Sequence, residues 1–342
     1  MNLSLSVLDL VPLPKGVEPG QAIRNSLELA RLVDRLGYDR VWYAEHHNMP
    51  TIASTTPEIM IALAAEATQG IHVGSGGVML PNHAPLKVAE SFKMLEALYP
   101  GRIDLGIGRA PGTDPSTAKA LRGARQAVVA DDFPSQLAEL LTLSQGSLPA
   151  TLSSGTVSAM PEQIALPDIW LLGSSDYSAH LSAGLGMGFA FAAHFSDFPP
   201  EGPMLAYRRE FQGETPHAIL TLSVVCADTD EEAERLVSSL LVSFARLRTG
   251  KRSVLLPPEE ALAYPFDPVE RSVVEAIRDR QIVGTPDKVR ARIEEIATRT
   301  QADEVMVSTM IHGHAARMRS YELLAEAFAP KETEMGRQAL LA

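Results

Sequence analysis

Apolar residues along this chain follow two spacings, one typical of strands and one typical of helices. Short apolar, often β-branched runs recur, and between them lie stretches whose apolar residues are three or four positions apart. The runs that predict strands are residues 3–10, 40–44, 71–80, 103–107, 169–172, 188–193, 218–227 and 304–309. The stretches that predict helices are residues 21–36, 56–68, 84–98, 131–144, 175–185, 203–211, 230–249, 286–299 and 315–328. Each predicted strand is followed by a helix, and this order indicates a parallel sheet.

Eight strand–helix units in 342 residues fit a closed (β/α)8 TIM barrel, an α/β fold. We expect a single barrel domain over residues 1–330, followed by a C-terminal tail at 331–342. Two connections exceed ordinary loop length, at about 110–167 after the fourth strand and about 250–284 after the seventh. Long excursions of this kind are typical of lids or binding loops, and Lys251 and Arg252 lie in the second one.

Polar and glycine residues collect where the predicted strands end, which is the face where barrel enzymes place their active sites. These positions are Glu45, His46 and His47 after the second strand, residues 75–79 in the third, Arg109 after the fourth, Gly173, Ser174 and Ser175 after the fifth, His194 after the sixth, and residues 309–312 after the eighth. Their shared position in six of the eight units predicts one site at the mouth of the barrel.

Arg109 and the residues 173–175 predict an anion site. The glycine and two serines open a helix, where free N–H groups and hydroxyls can bind an anion. On their own, these serines are better explained by an ordinary serine N-cap. Arg109 adds a permanently charged, forked donor on a neighbouring strand, which favours a phosphate. The glycines at 74–77 do not have the spacing of a dinucleotide fingerprint, and residues 106–112 are not a Walker loop.

His46 is the candidate catalytic residue. Adjacent residues on a strand point to opposite faces, so only one of His46 and His47 can enter the mouth. A structural role, in which Glu45 orients one ring, remains an alternative. A metal-assisted hydrolase that uses Glu45, His46, His194 and Asp9 is another, although no HxH or HxxxH pair supports a metal site.

Composition narrows the possible partners. Thirty basic and forty-two acidic residues give a net charge of −12, which disfavours nucleic acid or an anionic membrane. No apolar run reaches the roughly 18 residues of a membrane span, and the first residues have no basic n-region. Cys226 is the only cysteine, so no internal disulfide or thiolate metal cluster can form. A reducing cytoplasm is therefore the expected setting.

Several segments together resemble a known family. VWYAEHH, HVGSGGVMLPNHAPLKVAE, LEALYPGRIDLGIGRAPG, LLGSS and IVGTPDKV resemble the bacterial luciferase-like flavin-dependent monooxygenases, also described as luciferase-like oxidoreductases. The resemblance runs from about Leu3 to Phe328. It implies a (β/α)8 barrel that takes reduced FMN from a separate flavin reductase. The reduced FMN would react with O2 to a C4a-peroxyflavin, which oxygenates a small organic substrate. The resemblance also implies a homodimer that pairs through the helices after strands two and three.

The resemblance assigns roles by position. His46 matches an active-site histidine near the flavin ring, and Arg109 matches an arginine that binds the FMN phosphate. Further cofactor-binding positions are Gly173, Ser174, Ser175 and Ser178 at the phosphate, Gly76 and Gly77 at a non-prolyl cis peptide beside the ring, and Glu90 near the flavin.

The chain departs from luciferase itself at two positions. Gly108 replaces a reactive cysteine and Ser174 replaces a glutamate, so luminescence with an aldehyde is not implied. Two other functions stay open on the same fold. One is a deazaflavin-dependent oxidoreductase that transfers hydride, and the other is a flavin-binding protein without turnover.

Overall fold

The strands of the barrel form where the apolar runs predict them. The computed structural model of the protein describes residues 3–123, 132–148 and 157–329. Its strands are β1 Ser4–Asp9, β2 Arg40–Tyr43, β3 His72–Ser75, β4 Val78–Met79, β5 Ile103–Gly108, β6 Ser147–Leu148, β7 Val157–Ser158, β8 Asp168–Gly173, β9 Gly188–Ala192, β10 Ala218–Cys226, β11 Gln281–Gly284 and β12 Glu304–Ser308. Eight of them pair in parallel in the order β1–β2–β3–β5–β8–β9–β10–β12, and β12 returns to β1. The expected closed α/β barrel is therefore confirmed.

The helices surround this barrel, and most of them begin with proline, whose missing N–H is not needed in a first turn. They are α1 Pro19–Arg35, α2 Pro57–Ala67, α3 Pro85–Leu98, α4 Pro115–Arg122, α5 Phe133–Gln145, α6 Asp176–Leu185, α7 Glu201–Glu210, α8 Asp230–Arg248, α9 Pro258–Leu262, α10 Pro268–Arg278, α11 Pro286–Thr300 and α12 His314–Phe328. None of the helices in the described part of the chain is long and apolar enough to cross a membrane.

Side chains of alternating strand positions fill the inside of the barrel. The buried residues of this inner cluster are Leu8, Trp42, Ala44, Trp170, Ala190, Ile219 and Met306. A second, larger cluster packs the outer faces of the strands against the helices. Because apolar residues occupy both faces, β10 is buried at every position.

An ionic network closes the amino-terminal end of the barrel. The Arg40 guanidinium contacts Glu304 at 2.7 Å and Asp104 at 2.8 Å, and all three residues are buried. It also lies 4.9 Å from the ring centroid of Trp170. Buried charges need paired partners of this kind. The floor is thus occupied by structural residues, and the strand-end residues face the opposite end.

The predicted third strand, 71–80, is two strands. β3 ends at Ser75, β4 begins at Val78, and the Gly76–Gly77 peptide between them is cis. The change of direction lets β3 pair with the start of β5 and β4 with its end.

The excursion after β10 is larger than the sequence indicates. Helix α8 was expected to be the helix of the seventh barrel unit, but it packs against α9 and α10. Its apolar face also contacts Leu10, Met310 and Ile311 at the ends of β1 and β12. The helix that returns to β12 is α11, and β11, which the sequence analysis did not predict, pairs with the second half of β10. The excursion therefore covers 227–285, and α8 forms part of the rim of the mouth.

Candidate functional site

Glu45 organises the mouth of the barrel. It follows β2, is 1% exposed, and accepts hydrogen bonds from the Met79 backbone N–H at 2.9 Å and from Asn82 Nδ2 at 3.1 Å. The rings of His47 and His83 each lie 2.9 Å from its carboxylate. Burial alone would raise the pKa of Glu45, but the hydrogen bonds, chiefly that of His83, hold it below its ordinary value. Through these hydrogen bonds, Glu45 links the end of β2 to residues 79–83.

The cis peptide lies where the backbone of the mouth runs against a neighbouring strand. A Cβ atom on Gly77 would lie 2.7 Å from the carbonyl oxygen of Gly106, and one on Gly76 would lie 2.6 Å from Cδ1 of Leu8. A side chain at position 77 would therefore meet backbone, whereas one at position 76 would require the end of the Leu8 side chain to move. The structure thus has the cis bond that the resemblance implies at this position, and cofactor contact by these residues stays a prediction.

Arg109 reaches the start of α6, as the anion-site hypothesis requires. Its guanidinium carbon lies 4.2 Å from the ring centroid of Tyr177, the second residue of that helix. Arg109 is exposed, and none of the described carboxylates pairs with it. The N-cap residue Ser175 makes no side-chain capping hydrogen bond, so its hydroxyl does not occupy the helix start. Asp176 also lies in this first turn and would oppose an anion there.

The other predicted phosphate residues have structural contacts. The Ser178 hydroxyl donates to the carbonyl oxygen of Leu172 at 3.0 Å, and a Cβ atom on Gly173 would lie 2.6 Å from Cβ of Ser178. Gly173 and Ser178 therefore hold α6 tightly against the end of β8. The carbonyl oxygen of Ser174 accepts a hydrogen bond from the Ser196 hydroxyl at 2.8 Å. The hydroxyls of Ser174 and Ser175 remain the ones suited to an anion.

Glu90 contacts the excursion after β5 instead of a strand end. Its Oε1 accepts a hydrogen bond of 3.4 Å from the backbone N–H of Met160. The structure does not bring Glu90 to Arg109 through any described contact, and its flavin role rests on the resemblance alone.

Two histidines enter the mouth from opposite sides. His46 follows β2 and His194 follows β9, and these strands are separated by four steps around the eight-stranded barrel. Both rings are partly buried, and each Nδ1 is fully buried without a hydrogen-bond partner. Burial lowers the pKa of His46 to about 4. Burial and the nearby His46 lower the pKa of His194 to about 3. Both imidazoles are therefore neutral at pH 7.

Two of the four ligands in the metal hypothesis have other partners in the structure. Asp9 is 0% exposed and is paired with Arg317 at 2.6 Å, while Glu45 is engaged as described above. The described residues contain no group of three or more side chains placed to hold a metal ion. The sequence analysis places His194 at a strand end and among the ligands of the metal hypothesis, and assigns it no role in flavin chemistry. Its proximity to His46 depends on barrel closure, which has no local sequence pattern.

Known proteins match this chain over almost its whole length. Residues 3–304 match the family model described as luciferase-like monooxygenase. A luciferase-like monooxygenase of Escherichia coli (strain K12) is 42% identical over 326 residues, which cover 94% of this chain and 96% of the relative. The N-acetyl-S-alkylcysteine monooxygenase of Bacillus subtilis (strain 168) is 32% identical over 330 residues, covering 95% and 98%.

Solved structures share the barrel. Apo-MsnO8 superposes with a TM-score of 0.86 at 40% identity, covering 95% of this chain and 98% of the other. The oxygenating constituent of 3,6-diketocamphane monooxygenase from Pseudomonas putida, in complex with FMN, has a TM-score of 0.72 at 21% identity, covering 97% and 99%. An F420-dependent secondary alcohol dehydrogenase has a TM-score of 0.68 at 15% identity, covering 96% and 100%. At these identities, the last two show a common fold only.

Proposed function

The chain belongs to the luciferase-like monooxygenase family, and from this premise we propose that it is a flavin-dependent monooxygenase that uses reduced FMN and O2. One oxygen atom would be inserted into a small organic substrate, and the other would leave as water. Reduced FMN would activate O2 and would supply the two electrons that reduce the second oxygen atom to water. The observation that carries the proposal is the meeting of Arg109 with the start of α6 at the same barrel mouth as His46.

The anion site suits the phosphate monoester of FMN. Arg109 offers a forked, permanently charged donor, and the first turn of α6 offers backbone N–H groups together with the hydroxyls of Ser174 and Ser175. The neighbouring Gly76–Gly77 segment has no side chains, so a flat ring could approach its backbone closely. A solved neighbour with this fold binds FMN, which agrees with the proposal.

His46 would act at the reacting centre. Its ring is neutral at pH 7 and has no hydrogen-bond partner among the described residues, so it is available to a ligand. A neutral imidazole can orient a reacting oxygen or exchange a proton with it.

We propose that a separate flavin reductase delivers the reduced FMN, because the sequence has no dinucleotide-binding fingerprint of its own.

We also propose a homodimer that pairs through α2 and α3. Large apolar side chains on these two helices are exposed. They are Ile59, Leu63, Met94 and Leu98, with 60%, 44%, 57% and 65% of their surface accessible. Such a patch is typical of a protein interface.

Anaerobic binding of reduced FMN and reduced riboflavin tests the cofactor assignment. Removing a charge-assisted hydrogen bond costs about 1.5–3 kcal/mol. Arg109→Ala should therefore weaken reduced FMN binding about tenfold or more. Binding of reduced riboflavin, which has no phosphate, should not change. Arg24→Ala is the matched control, because Arg24 is an exposed arginine that is hydrogen-bonded to Gln21 on α1.

Oxygen transfer is then measured with ¹⁸O2, reduced FMN and N-acetyl-S-methylcysteine, a probe chosen from the printed name of the Bacillus relative. One ¹⁸O atom in the product would support the monooxygenase. Binding of reduced F420 in place of reduced FMN would instead support hydride transfer. If Arg109→Ala and Arg24→Ala bind reduced FMN equally, the phosphate assignment is wrong.

A further inference from the structure

The two histidines of the mouth belong to strands on opposite sides of the barrel. His46 follows β2 and His194 follows β9, so both lie at the carboxyl ends of facing strands, each with a buried Nδ1, and His46 contributes to the lowered pKa of His194. Side chains from opposite strands can approach each other only by pointing toward the barrel axis. The space between the two rings is therefore at the centre of the mouth.

The surroundings of each ring determine which nitrogen carries the proton. Nδ1 of both rings is buried and has no acceptor, and no other hydrogen bond reaches either ring from the described residues. A proton on Nδ1 would be a buried donor without a partner, which is unfavourable. A neutral ring places its single proton on one nitrogen only. The Nε2–H tautomer is thus favoured for both, with Nε2 on the accessible part of the ring.

We propose that His194 is a second residue of the reaction site, and that its Nε2–H and that of His46 bind one acceptor oxygen atom from opposite sides. The reaction assigned to this pair rests on the proposed function, whereas the positions and tautomers of the two rings do not. The oxygen belongs to an uncharged or partly negative group, such as a carbonyl of the substrate or of the flavin ring. Two fixed donors stabilise such an oxygen further when it gains negative charge. A cation is excluded, because both outward nitrogens are donors.

The tautomers can be measured in the protein without cofactor. Long-range ¹H–¹⁵N correlation spectra of protein with ¹⁵N-labelled histidine distinguish the two neutral tautomers from the charged ring, and spectra of His46→Gln and His194→Gln assign the two rings. We expect both rings as neutral Nε2–H tautomers at pH 7, without titration above pH 5. His180, an exposed ring paired with Glu210, is the internal comparison. An Nδ1–H tautomer, or a charged ring at pH 7, for either residue overturns the proposal.

Ligand additions identify the source of the oxygen. If reduced FMN alone moves the Nε2 resonances of both rings, the oxygen belongs to the flavin. If they move only after N-acetyl-S-methylcysteine is added, it belongs to the substrate. Both results support the pair of donors, whereas resonances that respond to neither addition contradict it. Failure to bind reduced FMN would contradict the proposed function, whereas the tautomer result would remain valid.

Two substitutions separate hydrogen bonding from packing. His194→Gln keeps an N–H donor, while His194→Phe keeps a ring beside Phe195, whose centroid lies 4.7 Å from that of His194. We expect His194→Phe to lower turnover about tenfold or more and His194→Gln to restore most of it. If the oxygen belongs to the substrate, both variants should bind reduced FMN equally. Equal turnover of the two variants would show that the ring only fills space. If His194→Phe does not fold, the spectra of the native protein still decide.

Discussion

At the scale of single residues, Glu45 determines how the end of β2 is joined to the neighbouring connection. A glutamine at this position removes the charge and replaces one acceptor oxygen with a donor that faces other donors. A hydrogen bond to a buried charged group contributes about 1.5–3 kcal/mol. Because several of these bonds meet at Glu45, we expect Glu45→Gln to lower the free energy of unfolding by about 2–3 kcal/mol in urea titrations.

Glu210→Gln is the matched control for this prediction. Glu210 also accepts a hydrogen bond from a histidine, His180, but the pair is on the surface, where such contacts contribute little. We expect no measurable change in unfolding for this variant. Equal effects of the two substitutions would mean that Glu45 does not brace the mouth.

Sequence analysis could relate distant residues only through the predicted order of strands, and their roles at the site stay predictions. Arg109 and Ser175 could be placed at one site because both follow barrel strands, and strand ends meet at one face. The partners of Glu45 could not be predicted, since His83 lies 38 positions away in a connection without regular periodicity. The ion pairs of Lys251 with Asp267 and Glu270, at 2.8 Å each, could not be predicted either.

At the scale of elements, the exposed apolar faces of α2 and α3 lead to a prediction about assembly. Leu98→Glu would place a charge in the proposed subunit interface, which is costly when the interface forms. We expect it to convert a dimer to a monomer in sedimentation equilibrium, with the helical circular dichroism unchanged. Leu262→Glu on α9 is the control, because Leu262 is 63% exposed on another face. A monomeric native protein, or dissociation by both variants, would refute this interface.

Element types were predictable, but their packing partners were not. The amphipathic spacing of α8 shows that one side is buried, and the same spacing suits a helix on the barrel wall or across its rim. Only the structure shows that α8 packs on the excursion and on strand ends. β11 was missed because four residues directly before a helix carry no measurable alternation.

At the scale of the whole molecule, closure of the barrel followed from the alternation of strands and helices, because eight parallel strands with covered faces have few other arrangements. Closure also places histidines with opposite pKa shifts at its two ends. At the mouth, burial lowers the pKa of His46 to about 4 and that of His194 to about 3. At the floor, the Asp104 carboxylate, 3.7 Å from Nδ1 of His72, raises the pKa of His72.

These shifts have opposite effects on stability. The unfolded chain protonates the two mouth rings near pH 6.5 while the folded protein does not, so they reduce stability as the pH falls from 6.5 toward 4. His72 stabilises the folded protein below pH 6.5, and this contribution is lost as the pH rises through its raised pKa. The lowered pKa values of Glu45 and Glu304 matter only at more acidic pH. On acidification, His46 and His194 lower the stability of the folded protein and His72 raises it. We therefore expect acidification to destabilise the protein.

We therefore expect the free energy of unfolding in urea to be smaller at pH 5 than at pH 7. His194→Gln should reduce this loss by about 1–2 kcal/mol, since one group changes stability by at most about 1.4 kcal/mol per pH unit. His72→Gln should enlarge the loss, because it removes the contribution of opposite sign. A native protein that is equally stable at both pH values, with no change in either variant, would show that the mouth rings already carry protons in the folded state. Their role as neutral donors would then be untenable.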